Sequence, residues 1–328
     1  MKNKPLKILF RTDSSAKIGL GHVMRSLTLA KRFHELNGSI ELVFAVRNLK
    51  GNINKKILKE GFSIHPLSSN KVTELIKLTN KKNFDLVILD SYKIDALFEK
   101  KLLHHTKAKV LAFDDTFNQH HANIVLNHGF HIDKSFYNNL LPKTTKLFCG
   151  AKYTILRDEF FRKYKATKAH NNIAIMLGGN DTKNLSLKIA KILKKINAKY
   201  QISILTTSVN PHIKSLESSK DITLLVDLKS VAKVLAKQNL IICASGGTLF
   251  EVMALKKMFI NIQVADNQQS IVDYLEKNKI FTSLHQNDID KTSLTQKIKY
   301  VQTHAIYERL KLKFSKYFLA KKILEELK

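Results

Sequence analysis

The sequence has little of what an extracellular or membrane scaffold needs. Its two cysteines, Cys149 and Cys243, are too few for a disulfide framework. No apolar run is long enough to span a bilayer. The amino terminus, MKNKPLKILF, runs almost directly into a strand-like segment. It lacks the apolar stretch and small-residue cleavage site of a signal peptide, so the expected location is the cytoplasm. Tryptophan is absent, no RNA- or DNA-binding motif is present, and basic and aromatic residues form no stripe, which argues against nucleic-acid binding. Glycine is scarce, with 11 in 328 residues, yet two of them, Gly19 and Gly21, stand directly before His22 and a clear helical pattern.

What is abundant is positive charge, a formal +29. Residues 1–164 hold 29 Lys/Arg against 14 Asp/Glu and residues 165–328 hold 27 against 13, so neither half concentrates the surplus. Lys188, Lys191, Lys194 and Lys195 lie on the polar face of one expected helix. Scattered charge of this kind reads as a solvated basic surface. The hydrophobic fraction of 44% and charged fraction of 25% are ordinary for a globular protein.

The length suits two domains of about 150 residues each. Short β-branched runs alternate with helical patterns throughout. Strands are expected at Lys7–Arg11, Ile40–Val46, Phe62–Pro66, Phe84–Asp90, Lys109–Phe113 and Asn123–Leu126. A second set is expected at Ile173–Leu177, Gln201–Thr206, Ile222–Val226, Leu240–Cys243, Phe259–Val264 and Ile280–Leu284. Alternation of this sort implies parallel sheets with crossover helices. The fold expected is α/β, with two Rossmann-like doubly wound domains and the active site in an inter-domain cleft. An amino-terminal domain covers 1–160, a polar basic linker 161–172, a second domain 173–310 and a carboxyl-terminal helix 311–328. The tail from Tyr300 on is one long amphipathic pattern that can pack over either domain.

In open α/β sheets ligands bind beyond the carboxyl ends of the strands, so the loops there are where chemistry is sought. The first is Gly19-Leu20-Gly21-His22. Glycine lets a phosphate or sugar approach a helix amino terminus, whose leading N–H groups lack intrahelical partners. It is not the dinucleotide fingerprint, because no third glycine follows. A neutral His22 there is a candidate general base; a capping or surface histidine is the plainer alternative. Asp13 either orients His22, binds a sugar hydroxyl, or forms a turn before Ser14-Ser15. The second loop, Gly178-Gly179-Asn180-Asp181, either faces a nucleotide or is a tight turn capped by Asn180 or Asp181. The third, Ser245-Gly246-Gly247-Thr248, suits a diphosphate, with Glu251 one turn later able to hold a ribose diol; Thr248-x-x-Glu251 equally fits a capping box. The fourth, Asp266-Asn267-Gln268-Gln269, offers amides for sugar hydroxyl or acetamido groups, or an N-cap cluster. The pairs His104-His105 and His120-His121 lack zinc-site spacing and read as surface residues. No metal site and no cofactor is expected.

Taken together, "LFRTDSSAKIGLGHVMRSLTLAK", "LVILDSY", "VLAFDD", "LNHG", "CGAKYTILRDEF", "MLGGNDTKNLSLKIA", "ASGGTLFEV" and "DNQQS" resemble the UDP-2,4-diacetamido-2,4,6-trideoxy-β-L-altropyranose hydrolases of pseudaminic acid biosynthesis. The resemblance covers about residues 6–285, in the family's order. That family is similar to the GT-B glycosyltransferase that makes lipid II. The resemblance implies that His22 is the catalytic histidine, that Tyr92 lines the sugar site, that Asn267 helps hold the substrate, and that Glu251 contacts the ribose. Gly19, Gly21, Asp13 and Gln268 join the substrate set. Gly178, Gly179, Asn180, Ser245, Gly246, Gly247 and Thr248 join the nucleotide set. The implied partner is a UDP-sugar, with no nucleic acid and no stable membrane insertion, and contact with other enzymes of the sugar pathway is compatible with it. A nucleotide-sugar glycosyltransferase and a non-catalytic nucleotide-sugar-binding protein are the alternatives.

Overall fold

The computed structural model describes residues 4–165, 170–310 and 312–328. The chain divides into two α/β domains, one of residues up to Ile155 together with Lys313–Lys328, the other Leu156–Leu312. Residues 166–169 of the expected linker, 161–172, and residue 311, where the tail helix was expected to begin, lie outside the described residues. Among the described residues no helix is long and apolar enough to cross a membrane.

The first domain runs β1 (Lys7–Thr12), α1 (Gly21–Leu36), β2 (Glu41–Arg47), α2 (Asn54–Lys59), β3 (Ser63–Leu67), α3 (Val72–Lys82), β4 (Leu86–Asp90), α4 (Ala96–His105), β5 (Lys109–Phe113), β6 (Ile124–Asn127) and β7 (Lys146–Cys149). The strands form one parallel sheet in the order β3-β2-β1-β4-β5-β6-β7. Alternation along β1 divides the core. Ile8 and Phe10 face α1, where Phe10 stacks on Phe44 at 4.8 Å, and Leu9 faces the opposite layer with Leu75, Leu78 and Leu102 of α3 and α4.

The second domain runs β8 (Asn172–Met176), α5 (Leu185–Ile196), β9 (Gln201–Thr206), α6 (Ile213–Glu217), β10 (Ile222–Val226), α7 (Val231–Leu235), β11 (Leu240–Ala244), α8 (Gly247–Ala254), β12 (Met258–Gln263), α9 (Gln269–Lys277), β13 (Ser283–His285), α10 (Lys291–Thr303) and α11 (Ile306–Arg309). Its parallel sheet has the order β10-β9-β8-β11-β12-β13. One face packs Ile173, Ile175, Ile204, Ile242 and Ile260 against Ile189 and Leu193 of α5 and Leu294 and Ile298 of α10.

Of the carboxyl-terminal helix expected at 311–328, Phe318–Glu325 is helical. α10 ends at Thr303, His304 is extended, the short α11 follows, and α12 (Phe318–Glu325) is the last helix. α12 belongs to the first domain, where Leu319, Ala320 and Ile323 join the core under α1. The division at Ile155 comes ahead of the expected linker because the residues that follow are tied to the second domain. Glu159 there accepts hydrogen bonds from the Ser230 hydroxyl at 2.7 Å and the Ala232 N–H at 3.1 Å.

Ile323 is fully buried. Ile323→Ala is expected to destabilise the first domain by about 2–5 kcal/mol, the usual cost of a large-to-small core change. Denaturant unfolding followed by far-UV circular dichroism measures it, and an unchanged midpoint would mean that α12 is not docked.

Candidate active site

In the first domain β2 and β3 lie on one side of β1, and β4 to β7 on the other. Such a switch point leaves a crevice at the carboxyl ends of the two central strands. Thr12 and Asp90, the last residues of β1 and β4, are register partners, so the segment after β1 and the carboxylate that ends β4 meet there.

That segment is a tight turn. Ser15 and Gly19 exchange backbone hydrogen bonds of 3.3 and 2.8 Å, and Gly19 has φ +86°, a region that disfavours side chains. α1 opens two residues later. No side chain caps it and its first turn carries no acid, which leaves its leading N–H groups to ligand or solvent. A Cβ on Gly21 would meet no atom within 4 Å, so the helix entrance is open.

His22 is 6% exposed, with Nδ1 2.5 Å from Oδ1 of Asp90. A carboxylate only accepts, so Nδ1 carries the proton of the neutral ring and Nε2 is the basic nitrogen. Arg25 grips the same carboxylate with Nε to Oδ2 at 2.8 Å and Nη2 to Oδ1 at 2.5 Å, and the Ser26 hydroxyl donates to Oδ2 at 3.2 Å. Burial raises the Asp90 pKa, but Arg25 and His22 more than offset it and hold the carboxyl well below its usual range. Arg25 Nη1 donates to Asp115 Oδ2 at 3.0 Å and lies 3.2 Å from Nε2 of His128, with the guanidinium 4.8 Å from the Phe113 ring centroid. Burial and Arg25 push His128 down to about 4, so its ring is neutral near pH 7 and accepts from Arg25. Tyr92 is exposed. Its hydroxyl donates to Asp115 Oδ2 at 3.0 Å, and its ring stands edge-on to His22 with centroids 4.7 Å apart.

Asp13 is not the acid that orients His22. It is 2% exposed and accepts from Arg11 Nη2 at 2.8 Å, Arg47 Nε at 2.9 Å and the Arg47 N–H at 2.8 Å. Two guanidinium groups hold it, and the turn after it is formed by Ser15, which accepts from the N–H groups of Lys17 and Ile18. The orienting acid is Asp90. Asp90, Arg25, Asp115 and His128 were not singled out in the sequence as site residues. For Asp90, Asp115 and His128 the available signal is a polar residue at or just past the carboxyl end of a buried parallel strand, whereas Arg25 lies one turn into α1.

In the second domain the switch point falls between β8 and β11. The loop after β8 holds Gly178, Gly179 and Asn180. The Gly179 carbonyl accepts from the Thr206 and Thr207 hydroxyls at 3.3 and 3.0 Å, and a Cβ on Gly179 would lie 3.0 Å from Thr207 Oγ1. Asp181 caps α5 by accepting from the Leu185 and Ser186 N–H groups, both at 2.9 Å, although the N-cap position itself is Asn184. After β11, the buried Ser245 hydroxyl accepts from Asn261 at 2.8 Å, and Gly246 is the N-cap of α8 with no capping side chain. Gly247 and Thr248 are therefore already in the first turn, and the capping box does not form. Glu251 is instead held by Arg157, whose Nε and Nη2 meet Oε1 at 2.9 and 2.8 Å. After β12, Gln268 Nε2 lies 3.6 Å from a Cβ placed on Gly246, its Oε1 accepts from the Val264 N–H at 2.9 Å, and Asn267 is exposed beside it. No side chain of this cluster caps α9.

His104, His105 and His121 are exposed, as surface residues should be, but His120 is buried. Among the described residues, no group of three or more His, Cys, Asp or Glu is placed to hold a metal ion.

No family model matches the chain. It is 35% identical over 277 residues to the UDP-2,4-diacetamido-2,4,6-trideoxy-beta-L-altropyranose hydrolase of Campylobacter jejuni, a match covering 83% of this chain and 97% of that protein. It is 29% identical over 290 residues to an uncharacterized protein of Methanocaldococcus jannaschii, covering 83% of this chain and 59% of that protein. Among solved structures, Acinetobacter baumannii MurG matches with TM-score 0.64 and 15% identity, covering 98% of this chain and 99% of its own. The glycosyltransferase of kitacinnamycin matches with TM-score 0.72 and 10% identity, covering 99% of this chain and 100% of its own. These likenesses and the two parallel sheets define a two-domain Rossmann-like protein with the fold of the GT-B glycosyltransferases. Within that class, the chain belongs to the UDP-2,4-diacetamido-2,4,6-trideoxy-β-L-altropyranose hydrolase family.

Because Thr248 caps nothing, Thr248→Ala is expected to change stability by less than about 0.5 kcal/mol. A capping box would make the same change cost about 1 kcal/mol. Thermal unfolding of the two proteins without nucleotide discriminates between these values.

Proposed function

We propose that this chain hydrolyses UDP-2,4-diacetamido-2,4,6-trideoxy-β-L-altropyranose to the free sugar and UDP, a step of pseudaminic acid biosynthesis that takes place in the cytoplasm. The observation that carries the reading is His22 at an open, uncapped helix entrance with Nδ1 tied to Asp90, in a chain of this hydrolase family.

Nε2 of His22 takes a proton from water, and the water oxygen attacks the anomeric carbon. The bond from that carbon to the diphosphate oxygen breaks, and UDP leaves with inversion at the sugar. Asp90 stabilises the imidazolium that forms, as an orienting carboxylate does for a general base. Arg25 keeps Asp90 ionised throughout. Tyr92 and the Gly19–Gly21 turn border the sugar, and Asn267 and Gln268 serve its acetamido groups. Glu251, oriented by Arg157, takes the ribose diol. The loops at Gly178-Gly179-Asn180 and Ser245-Gly246-Gly247-Thr248 receive the diphosphate, whose developing charge is stabilised by the uncapped amino terminus of α8.

The test is incubation with the UDP-sugar in ¹⁸O-labelled water without any acceptor. Free sugar and UDP are expected, with the label in the sugar. Label in UDP would mean attack at phosphorus, and turnover only with an added acceptor would mean glycosyl transfer.

His22→Asn is expected to lower kcat at least a hundredfold with UDP affinity unchanged, since loss of a general base typically costs about 10²–10⁴ in rate. Steady-state kinetics and calorimetric titration with UDP measure the two effects. Near-normal turnover by the folded variant would remove His22 from the mechanism.

A further inference from the structure

Behind the first-domain site lies a second set of charged groups that the proposed reaction does not touch. Glu99 of α4 is 1% exposed. It lies 2.7 Å from Nδ1 of His120 and accepts from the N–H groups of His121 and Ala122 at 2.7 and 3.1 Å. The other ring nitrogen of His120 faces Asp114, with Nε2 3.6 Å from Oδ2. Asp114 follows β5 and organises the loop after it. Its Oδ1 accepts from the N–H and hydroxyl of Thr116 at 2.9 and 3.0 Å, and its Oδ2 accepts from the Tyr137 hydroxyl at 2.8 Å and the Asn118 N–H at 3.3 Å. The same Tyr137 hydroxyl accepts from Asn127 at 2.9 Å, and Asn127 accepts from the Gly129 N–H at 3.0 Å.

Both ends of this network adjoin the site in the chain. Asp114 precedes Asp115, and Asn127 precedes His128. Asp115 and His128 are the two groups that meet Nη1 of Arg25. The loop that presents Asp115 is strained, because Phe117 has φ +59°, a conformation costly for a bulky residue. Phe117 is held there by stacking on Phe136 at 5.1 Å and packing on Tyr137 at 5.8 Å, together with the bonds from Asp114 on either side of it. We infer that His120 is a positioning residue for His22. Clamped between Glu99 and Asp114, it fixes the two loops that bear Asp115 and His128, and through Arg25 and Asp90 it fixes the His22 ring.

The charges support this. Burial opposes protonation of His120, but Asp114 and Glu99 outweigh it and lift its pKa to about 9. The groups facing it are Glu99 from α4, Asp114 after β5 and, through Asp114, the Tyr137 phenol. A histidine raised from an unfolded value of about 6.5 adds stability that is complete below that pH. The contribution is lost as the pH rises through about 9.

The inference rests on the hydrolase reading, and the test separates the two. His120→Gln removes the charge. Tyr137→Phe removes only the hydroxyl that joins Asp114 to Asn127 and keeps the ring packing, so it carries the test if the first variant does not fold. For each variant kcat is expected to fall about tenfold or more, as small displacements of a catalytic group do, with KM and UDP affinity within about twofold of wild type. The His22 Nδ1–H proton resonance, assigned by its loss in His22→Asn, is expected to shift or broaden in both. The unfolding temperature of wild type and Tyr137→Phe should drop between pH 7 and pH 10, and that of His120→Gln should lack the step. A folded variant with wild-type kcat and an unchanged His22 resonance overturns the inference. If wild type releases no sugar and UDP, the hydrolase reading fails, and the His22 resonance alone decides the positioning role: altered in the variants, it stands; unaltered, it falls.

Discussion

A full negative charge on Asp90, at a position with no exposed side-chain surface, is the constraint around which the first domain is arranged. An unpaired carboxylate there would cost several kcal/mol. α1 neutralises it with the guanidinium of Arg25 and adds hydrogen bonds from the imidazole of His22 and the hydroxyl of Ser26. His22, Arg25 and Ser26 are residues i, i+3 and i+4, which share one face of a helix. The rotation of α1 about its axis is therefore set by electrostatics as well as by the apolar side chains beneath it. The glycine turn has to deliver the chain to Gly21 for that face to be presented from the first helical residues. The local pattern at the helix entrance and the long-range pairing with β4 are two parts of one arrangement.

The second domain reuses the geometry with different chemistry. Its switch point also presents loops at the carboxyl ends of neighbouring strands, but there the acid sits one turn inside a helix and its cation comes from the segment just after Leu156. Glu251 has solvent on one side, where Asp90 has none. A sealed acid suits the steadying of a neighbouring base. An acid with one open side can meet a ligand there. The two domains thus place acids of different burial beside their switch points, a difference set by single side chains rather than by topology.

Much of the fold was legible because buried parallel strands are short apolar runs, and twelve such runs stand out against a lysine-rich background. β7 was not, since Lys146–Cys149 is too short and mixed to show a period. Nor was the break in the tail, where no glycine or proline lies between His304 and Tyr317 to mark it. The site divided in the same way. His22 was legible because its neighbours in sequence, the glycines, are unusual. Its partner Asp90 was not, because 68 residues separate them and an acid at the end of a strand looks like a boundary residue. His120 was misread for the same reason, since its burial depends on Glu99, 21 residues away and on another element.

The placement of α12 bears on the order in which the molecule is made. The whole second domain lies between β7 and α12 in the chain, yet Leu319, Ala320 and Ile323 belong to the core of the first. During synthesis the first domain must hold an apolar face under α1 uncovered while the intervening residues emerge. At about 5–20 residues per second that exposure lasts on the order of ten seconds or more. The second domain has no such gap, because its residues are contiguous. It can therefore fold to completion before the first, reversing the amino-to-carboxyl order usual for tandem domains. The chain's net charge of +29, by self-repulsion, is suited to keeping the half-finished first domain from associating with its copies while it waits.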